Sequence, residues 1–234
     1  MIDNPAGEDP RFHGRRRGRR LRSGQAQLLE NYLPEIAVST GGESPDPAAW
    51  FAADIDEVWL EIGFGAGEHL AWQAAQNPRA GIIGAEPYLN GVARLLSALA
   101  PTKPGNVRVL ADDVRPLLPI LADACLSRVF ILFPDPWPKR RHHQRRLVNE
   151  AMLNALARLM ADDAELRIAT DDQDYLVWIL RHLQAHEAFD WMAARADDWR
   201  QRPADWPDTR YEDKNRSGGP GSTFLRYRRR SRRD

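Results

Sequence analysis

Between Arg128 and Arg146 the chain reads Arg-Val-Phe-Ile-Leu-Phe-Pro-Asp-Pro-Trp-Pro-Lys-Arg-Arg-His-His-Gln-Arg-Arg. Asp135 stands between two prolines, Trp137 follows, and Lys139, Arg140, Arg141, Arg145 and Arg146 crowd in behind it. An acid, a flat aromatic ring and a burst of cations delivered together suit an anionic substrate that carries bases. The cations answer phosphates, the ring offers a stacking face, and the carboxylate meets N–H donors or a developing positive charge. A second set lies upstream, where Glu61-Ile62-Gly63-Phe64-Gly65-Ala66-Gly67 combines an acid with a turn whose glycines let backbone approach a ligand closely. Glu86, the pair Asp112-Asp113, and Asp171 complete the set of acids that follow apolar runs.

These residues need a scaffold, and the apolar pattern supplies one. Val129 to Phe133 is short, rich in Val, Ile and Phe, and stopped by proline, which predicts a buried strand. Val58 to Ile62, Gly81 to Ala85, Val107 to Leu110 and Glu165 to Ala169 read the same way. Helical patterns fall between them: Glu68 to about Gln76, Leu89 to Ala100, a short one near Leu117 to Asp123, residues 147 to 160, and Tyr175 to His186. Gln25 to Leu33 predicts a short helix ended by Pro34, Ser39 to Pro47 a loop, Asp197 to Gly221 a long functional loop, and Thr223 to Tyr227 a final edge strand. Strands alternating with helices predict a doubly wound α/β fold with a parallel sheet covered on both faces. Ligands of such sheets sit beyond the carboxyl ends of the strands, so Gly63, Glu86, Asp112, Asp135 and Asp171 are expected to converge on one cleft.

The formal net charge of zero hides an uneven distribution. Residues 1–24 hold seven Arg against three acids, and residues 226–234 hold six Arg against one. Of the 33 basic and 33 acidic residues, 20 and 29 remain between these ends, a net of −9. Basic ends on an acidic body predict arms that reach for phosphates, with solubilising tails as the plainer alternative. Residues 1–24 have too little apolar content to fold alone and are expected to order only on RNA or on the body of the protein. A single cysteine, Cys125, excludes an intramolecular disulfide framework and a cysteine-based zinc site, and fits a reducing cytoplasm. No apolar run approaches the roughly 18 residues of a membrane helix, and no apolar stretch follows the N-terminal arginines as in a secretory signal.

The glycine turn discriminates between cofactors. A dinucleotide fingerprint places its third glycine three residues after the second. Here Gly67 comes two after Gly65, and Glu68 stands where the glycine would be. A carboxylate there also opposes a pyrophosphate at the helix start. The turn instead resembles motif I of class I S-adenosylmethionine-dependent methyltransferases, in which an acid precedes the glycines. That resemblance implies that Gly63, Gly65 and Gly67 line the cofactor, with Glu61 near its methionyl portion. It also implies that Glu86 accepts from the ribose hydroxyls, Asp112 from the adenine amino group, and that the backbone at Asp113 touches the base.

Phe133-Pro134-Asp135-Pro136-Trp137-Pro138-Lys139-Arg140-Arg141-His142 closely resembles the signature of bacterial tRNA (guanine-N7-)-methyltransferases. Gly14-Arg15-Arg16-Arg17-Gly18-Arg19 is similar to the family's basic N-terminal arm, Leu60 to Gly65 to its motif I, Ala169-Thr170-Asp171 to the end of its fifth strand, and Thr209-Arg210-Tyr211-Glu212 to its late substrate loop. The similarity spans roughly residues 12 to 228. It implies a seven-stranded, mostly parallel Rossmann-like sheet, with a basic arm (1–24), one methyltransferase domain (25–228) and a basic tail (229–234). It implies a cytoplasmic enzyme that moves a methyl group from S-adenosyl-L-methionine to N7 of a guanine in the tRNA variable loop (m7G46). No metal, no membrane and no obligate protein partner are implied, and monomer and homodimer stay open. By the same resemblance Asp135 is the catalytic residue and also touches the cofactor. Lys139, Asp171 and Thr209, Arg210, Tyr211 and Glu212 bind substrate, and Arg141, His142, His143, Gln144, Arg145 and Arg146 meet RNA.

Alternatives remain at this point. Trp137 either stacks on a base or packs against its own loop. His142 and His143 face RNA or solvent rather than a metal, because no acid or cysteine cluster accompanies them. Trp178, Trp191, Trp199 and Trp206 are expected to be core or loop anchors. Asp135-Pro136-Trp137 also invites comparison with the Asp/Asn-Pro-Pro-aromatic motif of enzymes that methylate exocyclic base amines, although Trp137 holds the second proline's place. A non-catalytic RNA-binding protein with this fold would require a damaged cofactor pocket, and Glu61, Glu86, Asp112 and Asp135 are all present.

Overall fold

The computed structural model describes residues 14–40, 46–207 and 221–232. Its centre is a seven-stranded sheet: β1 (Glu57–Ile62), β2 (Ala80–Ala85), β3 (Val107–Leu110), β4 (Leu126–Leu132), β5 (Met160–Thr170), β6 (Phe189–Trp191) and β7 (Thr223–Arg229). The spatial order is β3-β2-β1-β4-β5-β7-β6. The first five run parallel, and β7 joins β5 and β6 antiparallel. Every β2 residue is buried, as is every β1 residue after Glu57, which is what a central strand covered on both faces requires.

Seven helices flank the sheet among the described residues: α1 (Ser23–Asn31), α2 (Leu33–Ile36), α3 (Glu68–Gln76), α4 (Leu89–Leu99), α5 (Glu150–Leu159), α6 (Gln173–Ala185) and α7 (Asp197–Arg200). Strand side chains alternate between faces. Trp59 and Ile82 therefore join Leu70, Leu95 and Leu96 on one side, while Leu60 and Ile83 join Leu153, Leu156 and Ile179 on the other. Asn149 caps α5 by accepting from Met152 N (3.0 Å), and Asp172 caps α6 by accepting from Tyr175 N (2.7 Å).

Several expectations need correction. Pro34 does not end the first helix but sits in the first turn of α2, where its missing N–H costs nothing. The helix expected near Leu117 to Asp123 is a series of turns, because Pro119 removes a helical donor; Leu117, Leu118 and Leu121 still fill the core. The helix expected over residues 147–160 begins only at Glu150, after the Asn149 cap, and Met160 already belongs to β5. Thr223 to Tyr227 is not an edge strand, since the short β6 pairs outside it. Nor do the C-terminal arginines simply project. Arg229 Nε donates to Ala157 O (2.8 Å), and Arg232 Nη2 donates to Arg158 O (2.9 Å) and Met160 O (2.8 Å). These cations satisfy the Ala157 and Arg158 carbonyls in the last turn of α5, where the helix dipole is negative, and the Met160 carbonyl that follows it.

Candidate active site

The parallel register lines up the carboxyl edge. Ile62 pairs with Ala85 and Ile131, Ala85 with Leu110, and Ile131 with Ile168. Asp112, Glu86, Gly63, Asp135 and Asp171 therefore follow five neighbouring strand ends in the order β3, β2, β1, β4, β5. The convergence expected from the strand pattern is what the topology builds. The order reverses between β1 and β4, the place where open α/β sheets leave a crevice.

Gly63, Gly65 and Gly67 all have positive φ (76°, 57° and 75°). A Cβ at Gly63 or Gly65 would meet nothing within 4 Å, so bare backbone faces open space there. At Gly67 a Cβ would come within 2.6 Å of Leu95, and at Gly91 within 2.1 Å of the Gly65 carbonyl oxygen. The first two glycines thus leave room for a ligand, and the other two let α3 and α4 close on the turn. Glu86 fixes the turn by accepting from Gly65 N and Tyr88 N, both at 2.8 Å. Burial pushes the Glu86 carboxyl above its ordinary range against the pull of these donors, and the charges of Asp135 and Glu61 push it further up. Glu86 feels both other carboxylates across an open glycine cradle, and this anionic cleft suits a nucleoside ligand bearing a positive centre. The residues fit S-adenosylmethionine on those grounds.

Asp112 and Asp113 part company. The Asp113 carboxylate is mostly buried and paired with Arg115 (2.5 Å), whereas the Asp112 side chain is 51% exposed. Asp112 pairs with Arg16 (2.8 Å) from the basic arm. The arm is held at its backbone too: Leu89 N donates to Arg16 O (3.0 Å), Gly18 N to Asn90 Oδ1 (2.8 Å), and Asn90 Nδ2 to Arg19 O (2.7 Å). The body of the protein therefore orders residues 16–19 across the start of α4.

The turn after β4 is strained. Phe133 (φ 50°) and Trp137 (φ 45°) bracket Asp135 in the left-handed region, a conformation that bulky residues rarely adopt. Phe133 N donates to Ala169 O (2.8 Å) at one side. At the other, Arg146 Nε donates to Pro136 O (2.8 Å), with Nη2 on Asp174. The Arg146 side chain is 1% exposed and its guanidinium lies 5.0 Å from the ring centres of both Tyr175 and Trp178. Burial pushes the Tyr175 phenol up to about 12, so it stays protonated and accepts from Val148 N through its oxygen (3.1 Å). This is a brace for the turn, not an outward cation, and it removes Arg146 from the RNA-facing set expected from sequence. Asp135 itself is exposed, as are Lys139, Arg141 and Gln144. His142, His143 and Arg145 are half-buried in a 3-10 helix (Arg140–Arg145). Trp137 packs within its own loop, edge-on to His142 (5.9 Å) and under Arg145 (5.0 Å). Asp171 is half-buried beyond β5. Thr209, Arg210, Tyr211 and Glu212 lie outside the described residues.

Glu61 is 2% exposed, and its Oε2 accepts from His69 Nδ1 (2.7 Å). Behind it runs a polar layer that sequence reading passed over. Arg167 reaches both Glu165 and Asp205 at 2.8 Å, and Arg226 also meets Glu165. Burial alone would raise Glu165, but the Arg167 and Arg226 hydrogen bonds and charges more than offset it and hold the carboxyl below its ordinary range. Trp206 is buried against His69 (5.4 Å) and Phe224 (5.4 Å), the loop anchor expected of it. His69 and Gln73, four apart on one buried face of α3, carry the spacing of an inward helix face, and that is the signal by which sequence could have found them.

Comparison with known proteins agrees with the geometry. A family model described as “Putative methyltransferase” matches residues 56–224. The chain is 49% identical to the tRNA (guanine-N(7)-)-methyltransferase of Rhodospirillum rubrum, over 99% of this chain and 92% of that one. It is 50% identical to the protein of the same name from Paramagnetospirillum magneticum, over 98% and 97%. Among solved structures, the 16S rRNA (adenine(1408)-N(1))-methyltransferase of Catenulisporales acidiphilia superposes with a TM-score of 0.55 at 17% identity, covering 82% of this chain and 94% of that one. An rRNA methylase from Streptococcus thermophilus gives 0.52 at 11%, covering 76% and 89%. These two structures share the fold with this chain.

Proposed function

The chain belongs to the tRNA (guanine-N(7)-)-methyltransferase family, and on that footing we propose that it methylates N7 of a guanine in the tRNA variable loop (m7G46). When bound, S-adenosylmethionine supplies an electrophilic methyl group on a sulfonium. The backbone at Gly63 and Gly65 and the carboxylates of Glu61 and Glu86 would hold it. Glu86 keeps lone pairs for the ribose hydroxyls beyond those it gives to Gly65 and Tyr88. Asp112 suits the adenine amino group better than Asp113, whose carboxylate is committed to Arg115.

The observation that carries this reading is Asp135, exposed at the tip of a strained, braced turn beside the anionic cradle. Guanine N7 carries no proton, so no strong base is needed. The work is to align N7 and to balance the positive charge that grows on the purine. That electrostatic task is assigned to Asp135, and its exposure after β4 supports the assignment. Lys139, Asp171 and the segment Thr209–Glu212 are assigned to the substrate guanine, whose N1–H and amino group favour carboxylates. Arg141, His142, His143, Gln144 and Arg145 are assigned to the tRNA backbone. The reaction takes place in the cytoplasm, with no obligate protein partner.

The test incubates purified protein with labelled S-adenosylmethionine and a tRNA transcript, then cleaves the RNA with borohydride and aniline, which cut at 7-methylguanosine. Cleavage at one site in the variable loop is expected, lost in Asp135→Ala while that variant still binds the cofactor. Methyl incorporation without cleavage contradicts the proposal.

A further inference from the structure

One buried hydrogen-bonded chain links the cofactor cradle to the root of the substrate loop. Gln73 Nε2 lies 2.8 Å from the Asp205 carbonyl oxygen, which can only accept, so that atom is a donor. Its second N–H points at His69 Nε2 (3.1 Å). Asn77 Nδ2 donates to Gln73 Oε1 (3.1 Å), which fixes the amide the same way round. His69 Nε2 therefore accepts, its proton sits on Nδ1, and Nδ1–H donates to Glu61 Oε2 (2.7 Å). Glu61, His69 and Gln73 are 2%, 3% and 2% exposed, so water does not compete for these bonds. The Asp205 carboxylate is held separately by Arg167, and Trp206 rests on the same imidazole.

We propose that His69 is a positioning residue whose two ring nitrogens serve two different ligands. Through Nδ1 it orients Glu61 for the cofactor. Through Nε2 and Gln73 it holds the Asp205 carbonyl, four residues before Thr209, and so the root of the segment assigned to the substrate guanine. The two bonds act separately: cutting the Nε2 tie frees the Asp205 root and leaves the Nδ1 donor on Glu61, and cutting the Nδ1 bond does the reverse. The inference rests on the assignment of Glu61 to the cofactor.

Two substitutions divide the imidazole. His69→Asn keeps a donor at the Nδ1 position and removes the Nε2 acceptor; His69→Gln keeps an acceptor at the far position and removes the near donor. Loss of a hydrogen bond of this kind predicts changes of up to about tenfold. His69→Asn is expected to leave S-adenosylmethionine affinity within about twofold of wild type, to speed amide exchange over residues 201–207, and to raise the KM for tRNA by up to about tenfold. His69→Gln is expected to weaken the cofactor by up to about tenfold and to leave residues 201–207 protected. Parallel changes in both variants, or no change in either, overturn the proposal. Should a His69 variant fail to fold, Gln73→Met cuts the chain at its next link and must reproduce the His69→Asn pattern. Calorimetric binding and amide exchange are read without turnover. A wild-type protein that binds cofactor but forms no 7-methylguanosine would therefore sink the functional reading while leaving this one decided.

Discussion

Replacing Arg146 by methionine should damage catalysis and leave the electrostatics of tRNA binding intact. Methionine fills most of the volume, but it cannot donate to the Pro136 carbonyl or lie as a cation over Tyr175 and Trp178. A hydrogen bond from a charged donor contributes about 1.5–3 kcal/mol, and a desolvated cation–ring contact up to about 2 kcal/mol. Part of this is offset by the cost of burying a guanidinium, so a net destabilisation of about 2–4 kcal/mol is expected. The local effect matters more. Phe133 and Trp137 each hold a left-handed conformation that costs about 1–3 kcal/mol, and the brace is what keeps that strain in place around Asp135. Once released, the turn relaxes, and a shift of about 1 Å at a reacting group costs on the order of a hundredfold in rate. Methyl-incorporation kinetics should show kcat falling by that order in Arg146→Met, with the salt dependence of tRNA affinity unchanged. Arg141→Ala should behave in the opposite way, lowering the salt slope by about 0.7–0.9 with little effect on kcat. An Arg146→Met enzyme with normal kcat and a reduced salt slope would show that Arg146 meets phosphate, and the brace would be wrong.

Other perturbations probe the cradle and the arm. Gly91→Ala should push on the Gly65 carbonyl, which leaves no room for its Cβ, and weaken cofactor binding by at least about tenfold. Gly24→Ala, in open space on α1, should instead raise the unfolding free energy by up to about 1 kcal/mol in denaturant titration; a neutral Gly91→Ala would contradict the packing described. Glu86 must be ionised to accept from both backbone and ribose, and its value is raised, so cofactor affinity should begin to fall on acidification above the ordinary glutamate range of about 4.3. The sign for stability is opposite: a raised folded value means the charged form burdens the fold as pH increases through it. Calorimetric titration across mildly acidic pH reads the affinity directly, and a midpoint at or below the ordinary value would refute it. Deleting residues 1–24 removes the Arg16–Asp112 pair and the arm across α4, and should weaken tRNA binding with a flatter salt dependence. An unchanged slope would reduce the arm to a tail.

The strands and their terminal acids were legible because both signals are local. A short β-branched run stopped by proline, glycine or an acid predicts its own end, and parallel pairing then sets those ends side by side. Arg146 is the complementary case. Within a cationic run it looks solvated, and its burial depends on Tyr175 and Trp178, some thirty residues further on. Arg229 and Arg232 likewise read as part of a phosphate-seeking tail, because their carbonyl partners at Ala157, Arg158 and Met160 lie some seventy residues upstream. His69 and Gln73 share the spacing of any inward helix face, so only the placement of Glu61 and Asp205 reveals what they join. Trp137, an even choice from sequence, is a loop-packing residue because Arg145 and His142 take its face and edge.

The central claim is that the reacting atom is guanine N7, which loses no proton, and that Asp135 serves it by charge and position. A tRNA transcript made with 7-deazaguanosine replaces that nitrogen by carbon and keeps the base-pairing edge and the exocyclic amine. Methyl incorporation into this transcript, measured beside an unmodified one under conditions where both bind equally, should fall to background. Undiminished incorporation would place the methyl group on another atom and return the Asp135-Pro136-Trp137 turn to the chemistry of exocyclic amines.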